Sequence, residues 1–356
     1  GKIGLRTLVV SAIFSFSAVA IGVLLVNLIQ PGKSLSAEKR EELKVRYGST
    51  EETQKRVAQA KKAKALKDTL LDIIPENPLQ EMVGALDGSS PGNGMLSVMF
   101  FALIFGIAVT FTLDECATLI KVLEGTFTAC MTIIGFAMRL APVAVGCLFL
   151  AITSRLGFEI LSTLLYFVAT VLIGLLLQLV VVYPLALITI GRTSPLFFFR
   201  GVLEAMLTAF GTSSSNATLP TAMRVANENL HLPANVSHFV LTVGATGNQN
   251  GTALFEGVVV LFLAQLFGVE LSLTAQITVV LMSVLAGIGT AGVPGGSIPL
   301  IVVVMQSVGV PAEGIGIILG VDRILDMSRT VLNVTGDLAV ATCVARMEEP
   351  AAQPSP

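Results

Sequence analysis

The chain has 356 residues, of which 53% are hydrophobic and 13% are charged, and its formal net charge is −2. Soluble domains carry about 25% charged residues, so the composition argues against a soluble protein with one large core, and the balanced charge gives no indication of nucleic-acid binding. Four uncharged stretches are long enough to cross a bilayer, at 7–29, 94–113, 160–191 and 271–312. We therefore predict an all-α polytopic protein, integral to a plasma or inner membrane, with the lipid bilayer as a partner.

The first predicted helix, 7–29, ends at Gln30-Pro31-Gly32, a combination that stops helices. It is too long for a signal peptide, and no small-residue cleavage site follows it. The next segment, 31–78, mixes charges of both signs and is predicted to be a solvent-exposed loop. Further helices are predicted at 94–113, 125–154 and 160–191.

Two later apolar segments are interrupted near their centres. The segment 205–223 is broken by GTSSSNATLP, and 271–312 is broken by GIGTAGVPGGSIP. Broken helices are tolerated at membrane depth only where the freed backbone is buried in protein or lines a watery cavity. Two such breaks, on either side of a spanning helix, are typical of transporter sites built on inverted repeats, so each predicts two half-helices meeting at a tip. Two kinked helices with soft packing are the alternative.

Polar groups share one face of the last predicted helix, at positions 322, 326, 329, 333 and 337, spaced 4, 3, 4 and 4 residues apart. A charge at the bilayer centre costs at least about 2.5–3.5 kcal/mol, so these groups must pair with one another or meet a ligand. Arg329 fits a carboxylate bidentately, Asp326 fits an ammonium group, and the acidic surplus suits bound cations. An internal stripe of ion pairs without a ligand is the alternative.

Four motifs carry a resemblance to a known family: GTSSSNATLP, NGTALFE, GTAGVPGG and VDRILDMSRTVLNVTGD. They resemble the glutamate transporter family, the sodium- or proton-coupled dicarboxylate and amino-acid symporters. The resemblance spans essentially the whole chain and is most specific over 201–346. It implies an elevator fold, in which a transport domain with two re-entrant helical hairpins crosses a static homotrimeric scaffold. The chain begins like the family's third helix, so we expect its first two helices to be missing here.

The resemblance also implies a division of the chain. A membrane helix at 1–30 lies on the transport-domain side, a charged loop follows at 31–78, and 79–159 supplies scaffold helices. A long membrane helix at 160–200 precedes the transport core at 201–346, which holds both hairpins, and 347–356 is a disordered tail.

The implied substrate site draws on both hairpin tips and on the last two spanning helices. The first tip, with Ser214, is implied to meet the main-chain carboxylate of the substrate, and the second tip, with Gly292, to act as a lid. Asp326 is implied to take the amino group and Arg329 the side-chain carboxylate, which favours aspartate or glutamate because neutral amino-acid members lack that arginine. The full implied set is Ser214, Ser215, Thr252, Gly292, Val293, Asp326, Arg329, Thr330 and Asn333.

The resemblance implies ion sites as well, and here the chain departs from the family. Residual sodium sites are implied at Asn248, Thr290, Asn333 and Asp337. The family pattern Asn-Met-Asp-Gly-Thr is replaced by the stretch NQNGT at 248–252. Sodium prefers hard oxygen ligands, and this change removes the only carboxylate of a deeply buried site, so we predict that the site is absent. Its aligned residues are Ser11, Phe14, Ser15 and Asn250.

Two further residues bear on coupling. Gln249 stands where the family has a methionine that links the substrate and ion sites. Glu256 matches a glutamate associated with proton coupling, and a glutamate in an apolar helix can cross the membrane in its neutral form. A plain role for Glu256 as a buried hydrogen-bond donor is the alternative.

The sequence therefore predicts a secondary active transporter of aspartate or glutamate, working by elevator-type alternating access with reduced or absent sodium coupling, and with proton coupling as an option. It predicts no cofactor other than Na⁺ as a co-substrate, and no nucleic-acid partner. A fully sodium-coupled symporter is the first alternative. A ligand-gated channel should show a ring of repeated pore-lining residues instead, and an enzyme should show a nucleophile–base pair or a metal-binding spacing, which the cysteines and histidines do not form.

Overall fold

The structure is a computed structural model that describes residues 2–36, 38–39, 77–80, 83, 95–126, isolated positions from 128 to 154, and 159–348 apart from 291 and 293–295. Most of the predicted loop 31–78, most of the predicted helix 125–154, Val293 and the tail beyond 348 lie outside the described residues.

All regular structure in the described part of the chain is helical. The α-helices, in chain order, are α1 (Lys2–Ile29), α2 (Met95–Thr110), α3 (Glu159–Leu177), α4 (Tyr183–Thr189), α5 (Pro195–Thr212), α6 (Ser215–Glu228), α7 (Ala234–Gly247), α8 (Asn250–Leu266), α9 (Leu273–Gly289), α10 (Ile298–Ser307) and α11 (Ile315–Glu348). Two runs, Lys2–Lys33 and Ile160–Thr189, are long and apolar enough to cross a membrane, and Leu273–Ile288 is a shorter apolar helix.

The chain divides into two compact units. The smaller unit, Lys62–Gly157, contains the uncharged helix α2 and a further helical stretch at 117–126. The larger unit joins Gly1–Lys61 to Phe158–Pro356 and contains the other helices named above. All the contacts described below lie within this larger unit.

Helix α8 is the centre of the larger unit. Of its residues, only Gln265 is not buried, and α1, α9 and α11 all pack against it. Gly22 of α1 allows one of these close approaches, since a Cβ at this position would lie 3.1 Å from the carbonyl oxygen of Leu254 in α8. Small residues at such crossings let helices associate in lipid, where burial of apolar surface gives little driving force.

The predicted helix 160–191 is not uniform, because a π-helical turn at Gln178–Val182 separates α3 from α4. Pro184 follows this turn and has no N–H for the helical ladder, so a wider turn accommodates it. Gln178 is fully buried in the turn, and its amide donates to the carbonyl oxygen of Phe14 (3.1 Å) and to Ser17 Oγ (3.2 Å) on α1. The turn therefore ties this long helix to α1.

The helices are interrupted at the two positions that the glycine- and serine-rich motifs predict. α5 ends at Thr212 and α6 begins at Ser215, and Ser213 between them adopts a left-handed backbone with φ 52°. α9 ends at Gly289, and α10 does not begin until Ile298. Within each pair the two helices pack against one another. A third break, at Asn248 and Gln249, separates α7 from α8.

Candidate functional site

A buried arginine organises the polar face of α11. Arg329 is 1% exposed, and its Nη2 donates to Asp326 Oδ1 (2.7 Å) and Asp322 Oδ1 (3.1 Å). Its Nη1 donates to Ser297 Oγ (3.4 Å), and its guanidinium carbon lies 3.9 Å from the centroid of the Phe255 ring. The Nε–H of Arg329 has no hydrogen-bond partner among the described residues. One cation thus faces two carboxylates and retains a free donor, which suits an additional carboxylate.

A cluster of amides lies one turn further along α11. Asn333 Nδ2 donates to Gln249 Oε1 (2.5 Å) and to Thr252 Oγ1 (3.1 Å), and Asn333 Oδ1 accepts from the Gly251 N–H (2.7 Å). Gln249 Nε2 in turn donates to the carbonyl oxygen of Ala245 (2.7 Å). The break between α7 and α8 makes this possible, because it turns the Gln249 side chain and the first N–H groups of α8 toward α11.

The two interrupted segments meet at their tips. Ser214 Oγ donates to the Gly292 carbonyl oxygen (2.7 Å), and the Asn216 N–H donates to the same oxygen (3.2 Å). Gly292 is pressed against α7, because an added Cβ would lie 2.5 Å from the Ala245 carbonyl oxygen. Ser214 also caps α6, and Ser215 is the first residue of that helix. The positive end of α6 is therefore placed to attract a carboxylate.

Two buried carboxyl groups lie beyond the tips. Asp337 Oδ1 accepts from Asn248 Nδ2 (2.7 Å), and Asp337 is 4% exposed. Glu256 is fully buried, and neither of its oxygens forms a hydrogen bond of satisfactory geometry within the described residues. The hydroxyl of the neighbouring Thr290 donates instead to the Ala286 carbonyl oxygen (2.8 Å). The first carboxyl group suits a cation, and the second is suited to holding a proton.

The residues predicted to form the altered ion site contact neutral groups of the protein. The Tyr183 hydroxyl donates to Asn250 Oδ1 (2.9 Å) and to the Leu332 carbonyl oxygen (3.1 Å). The Tyr183 ring lies 5.0 Å from the Phe14 ring, centroid to centroid. Ser11 and Ser15, on the same helix as Phe14, are also buried. The Tyr183 phenol therefore contacts both Asn250 and the Phe14 ring, and all three groups are neutral.

Comparison with known proteins agrees with this architecture. The family model of the Sodium:dicarboxylate symporter family matches residues 1–347. The chain belongs to this family. It is 31% identical over 349 residues to the proton/sodium-glutamate symport protein of Bacillus subtilis (strain 168), covering 98% of this chain and 77% of that protein. It is 33% identical over 381 residues to excitatory amino acid transporter 3 of Homo sapiens, covering 95% of this chain and 70% of that protein. The proton/glutamate-aspartate symporter of Bacillus subtilis (strain 168) is 31% identical over 354 residues, covering 98% of this chain and 80% of that protein.

Membership of the Sodium:dicarboxylate symporter family confirms the resemblance seen in the motifs. The family is one of symporters rather than enzymes, and this member is an integral membrane protein of helical structure. The assignment of single residues to substrate or ions, the elevator movement and the homotrimer stay predictions.

The structure brings most of the predicted site residues of this symporter-family chain into a few connected groups. Thr330 joins the first, since its hydroxyl donates to the Asp326 carbonyl oxygen (2.8 Å). Asp326 differs from the expectation in one respect: it is paired with Arg329 here, so an ammonium group would have to share it. Val293 lies outside the described residues.

Sequence reasoning missed three residues that the structure places in these groups: Tyr183, Phe255 and Ser297. The sequence contains a weak indication of Tyr183, because its hydroxyl is a polar group within an uncharged, mostly apolar stretch. Phe255 is indistinguishable from a packing residue in sequence. Ser297 lies in a Gly/Pro-rich break, where a serine is usually read as a turn residue.

Proposed function

We propose that this protein is a secondary active transporter of an acidic amino acid, aspartate or glutamate, with weak dependence on sodium. The observation that carries the proposal is the buried guanidinium of Arg329 beside Asp322 and Asp326, whose Nε–H has no hydrogen-bond partner among the residues that the structure describes. The relatives in Bacillus subtilis, a proton/sodium-glutamate symport protein and a proton/glutamate-aspartate symporter, support the same substrate class.

In this proposal each polar group has a part in binding. Arg329 binds the side-chain carboxylate of the substrate through two N–H donors, and Asp326 releases part of its contact with Arg329 to hold the ammonium group. The start of α6, at Ser214 and Ser215, receives the main-chain carboxylate. Gly292 must withdraw from Ser214 before substrate enters, so the tip-to-tip hydrogen bond acts as a latch on a lid.

Transport itself is proposed to follow the elevator mechanism of a homotrimer with two re-entrant hairpins. Closure of the tips shields charged groups, so that the loaded transport core can cross the bilayer without exposing them. The neutral contacts of Tyr183 around Asn250 support the loss of one sodium site. Glu256, buried and free of a satisfactory hydrogen bond in the described region, supports a proton as a coupling ion.

A fully sodium-coupled symporter is the second candidate. One observation favours it: Asp337 is a buried carboxylate to which, within the described part of the chain, Asn248 alone donates a side-chain hydrogen bond, and its remaining lone pairs suit a cation. Sodium would then be a co-substrate held by Asp337 and the carbonyl groups near Asn248, Thr290 and Asn333.

Uptake into proteoliposomes tests the proposal. Purified protein is reconstituted and supplied with radiolabelled aspartate, glutamate, alanine or serine, with an inward proton or sodium gradient or with none. We expect accumulation of the acidic amino acids alone, above the external concentration, when a gradient is present. Equilibration without accumulation under every gradient would instead identify a channel, and absence of acidic amino-acid uptake would refute the proposed substrate.

A further inference from the structure

We propose that Gln249 is a positioning residue that links the lid to the substrate-facing amide of Asn333 through two hydrogen bonds of its own side chain, a task that does not require a bound ion. The inference rests on the proposed function and adds a residue role to it. Gln249 is 2% exposed and lies at the break between α7 and α8, with φ −90° and ψ 57°.

The first hydrogen bond reaches the lid. The Ala245 carbonyl belongs to the last turn of α7, where carbonyl groups lose their helical N–H partners. Gln249 Nε2 donates to this oxygen at 2.7 Å. The same oxygen would lie 2.5 Å from a Cβ on Gly292, so the second tip packs directly against the carbonyl that Gln249 holds. We therefore expect movement of the second tip to displace the Ala245 carbonyl group and with it the hydrogen bond from Gln249.

The second hydrogen bond reaches the substrate face. Gln249 Oε1 accepts from Asn333 Nδ2 at 2.5 Å, and the other bonds of the Asn333 amide go to Thr252 Oγ1 and the Gly251 N–H. The Asn333 amide is thus oriented by three partners, all of them buried. Without Gln249, one buried N–H of Asn333 and the Ala245 carbonyl oxygen both lose a partner.

The chemistry of the link determines its response to salt. An amide donates and accepts at fixed positions and is neutral, so the connection from Gly292 through Ala245 to Asn333 persists at any sodium concentration. The methionine of the family pattern is of similar size but has no N–H and only a weakly accepting sulfur, so it could make neither bond at comparable strength. Gln249 therefore makes part of the coupling between lid and substrate independent of sodium.

The test uses the full chain with Gln249→Met. Aspartate and glutamate affinities are measured on purified protein by equilibrium binding, in sodium-free buffer and over a sodium titration at constant ionic strength. In sodium-free buffer we expect the affinity of Gln249→Met to be lower than that of the unmodified chain by about tenfold or more, because two buried hydrogen bonds are lost. The matched control is Gln265→Met at the other end of α8, whose amide also holds two backbone groups, the Val26 carbonyl (3.1 Å) and the Gly32 N–H (3.2 Å). It should leave affinity unchanged.

A double-mutant cycle with Asn333→Ala separates positioning from general support of the fold. If Gln249 acts through Asn333, the losses from Gln249→Met and Asn333→Ala will not add in the double variant. Additive losses, or a Gln249→Met protein that binds like the unmodified chain, would overturn the inference.

If Gln249→Met fails to fold, Gln249→Glu replaces it. That variant keeps the acceptor for Asn333 and loses the donor to Ala245 when ionised, so a loss of affinity is again expected and unchanged affinity again contradicts us. Failure of the unmodified protein to bind either acidic amino acid would refute the proposed function instead.

Discussion

At the scale of single residues, the charged groups of α11 are held in place mainly by one another. Arg329 has almost no contact with solvent, and its two carboxylate partners are on the same helix, three and seven residues away. The guanidinium is also stacked on Phe255. A guanidinium held in this way by its own helix and by an aromatic ring is fixed in position before any further group binds to it.

Arg329→Cys is expected to abolish binding of aspartate and glutamate. The substrate carboxylate would then be buried opposite Asp322 and Asp326 without a cation, a loss of about 2–4 kcal/mol or more. Equilibrium binding of both amino acids measures it, and binding of serine and alanine is measured alongside because the shortened side chain opens space for them. Arg323→Cys, an exposed position on the same helix, is the control. Aspartate affinity that stayed equal in the two variants would contradict the role given to Arg329.

Tyr183→Phe is expected to destabilise the protein by about 1–3 kcal/mol, because Asn250 Oδ1 and the Leu332 carbonyl oxygen lose their shared donor in a fully buried position. Unfolding in detergent, followed by thermal or chemical denaturation, measures the difference. Tyr166→Phe serves as the control, since Tyr166 lies on the neighbouring helix α3 and is 55% exposed. Equal stability of the two variants would mean that the hydroxyl of Tyr183 is not a significant part of this site.

At the scale of helices, the breaks bring the residues of the candidate site together. α5–α6, α7–α8 and α9–α10 are each interrupted by residues that a continuous helix would not tolerate, and the interruptions lie next to one another at Ser214, Gln249 and Gly292. Each break frees backbone groups that are then used for contacts between helices. Gly292 lies where two of the breaks meet, and it fits there only because it has no side chain.

Gly292→Ala is expected to hold the second tip open. The new methyl group would approach the Ala245 carbonyl oxygen to 2.5 Å and Ser215 Cβ to 3.1 Å, so the contact between the tips cannot form as it does now. We expect substrate affinity to fall, with accessibility of the site to a thiol reagent increased in a Ser214→Cys background. Gly211→Ala, close to the first tip but with open space around it, is the control. A tip that remained closed in Gly292→Ala, with unchanged affinity, would contradict this.

Several of these features could be predicted from the sequence because they depend on local pattern. Uncharged runs marked the helices, Gly/Pro/Ser motifs marked the breaks, and a spacing of three and four residues placed Asp326, Arg329 and Asn333 on one face. The π-helical turn could not be predicted, since it depends on how Pro184 is accommodated. Nor could the bond between Tyr183 and Asn250, whose residues lie 67 positions apart and meet only through packing.

At the scale of the whole molecule, the predicted loss of a sodium ligand raises the question of how substrate binding is coupled to ions in this member of the Sodium:dicarboxylate symporter family. The groups around Asn250 satisfy one another without an ion, through Tyr183 and the Leu332 carbonyl. Asp337 remains available to a cation, and Glu256 to a proton. An ion strengthens substrate binding only through a site whose occupancy differs between the substrate-free and substrate-bound states.

Substrate affinity is therefore expected to rise less steeply with sodium than in a family member that keeps the Asn-Met-Asp pattern. With one site replaced by neutral groups, Asp337 is left to hold one ion, so the slope of log affinity against log sodium concentration should not exceed about one. Isothermal titration of aspartate and glutamate over a range of sodium concentrations, at fixed ionic strength and fixed pH, measures the slope for both proteins side by side. The variant Asn250→Asp, which restores the acidic residue of the family pattern, provides a second test. It places a carboxylate in a fully buried position, so its thermal midpoint should fall without sodium and recover as sodium binds. If the slope of the unmodified chain were as steep as that of its Asn-Met-Asp relative, the site around Asn250 would still bind an ion.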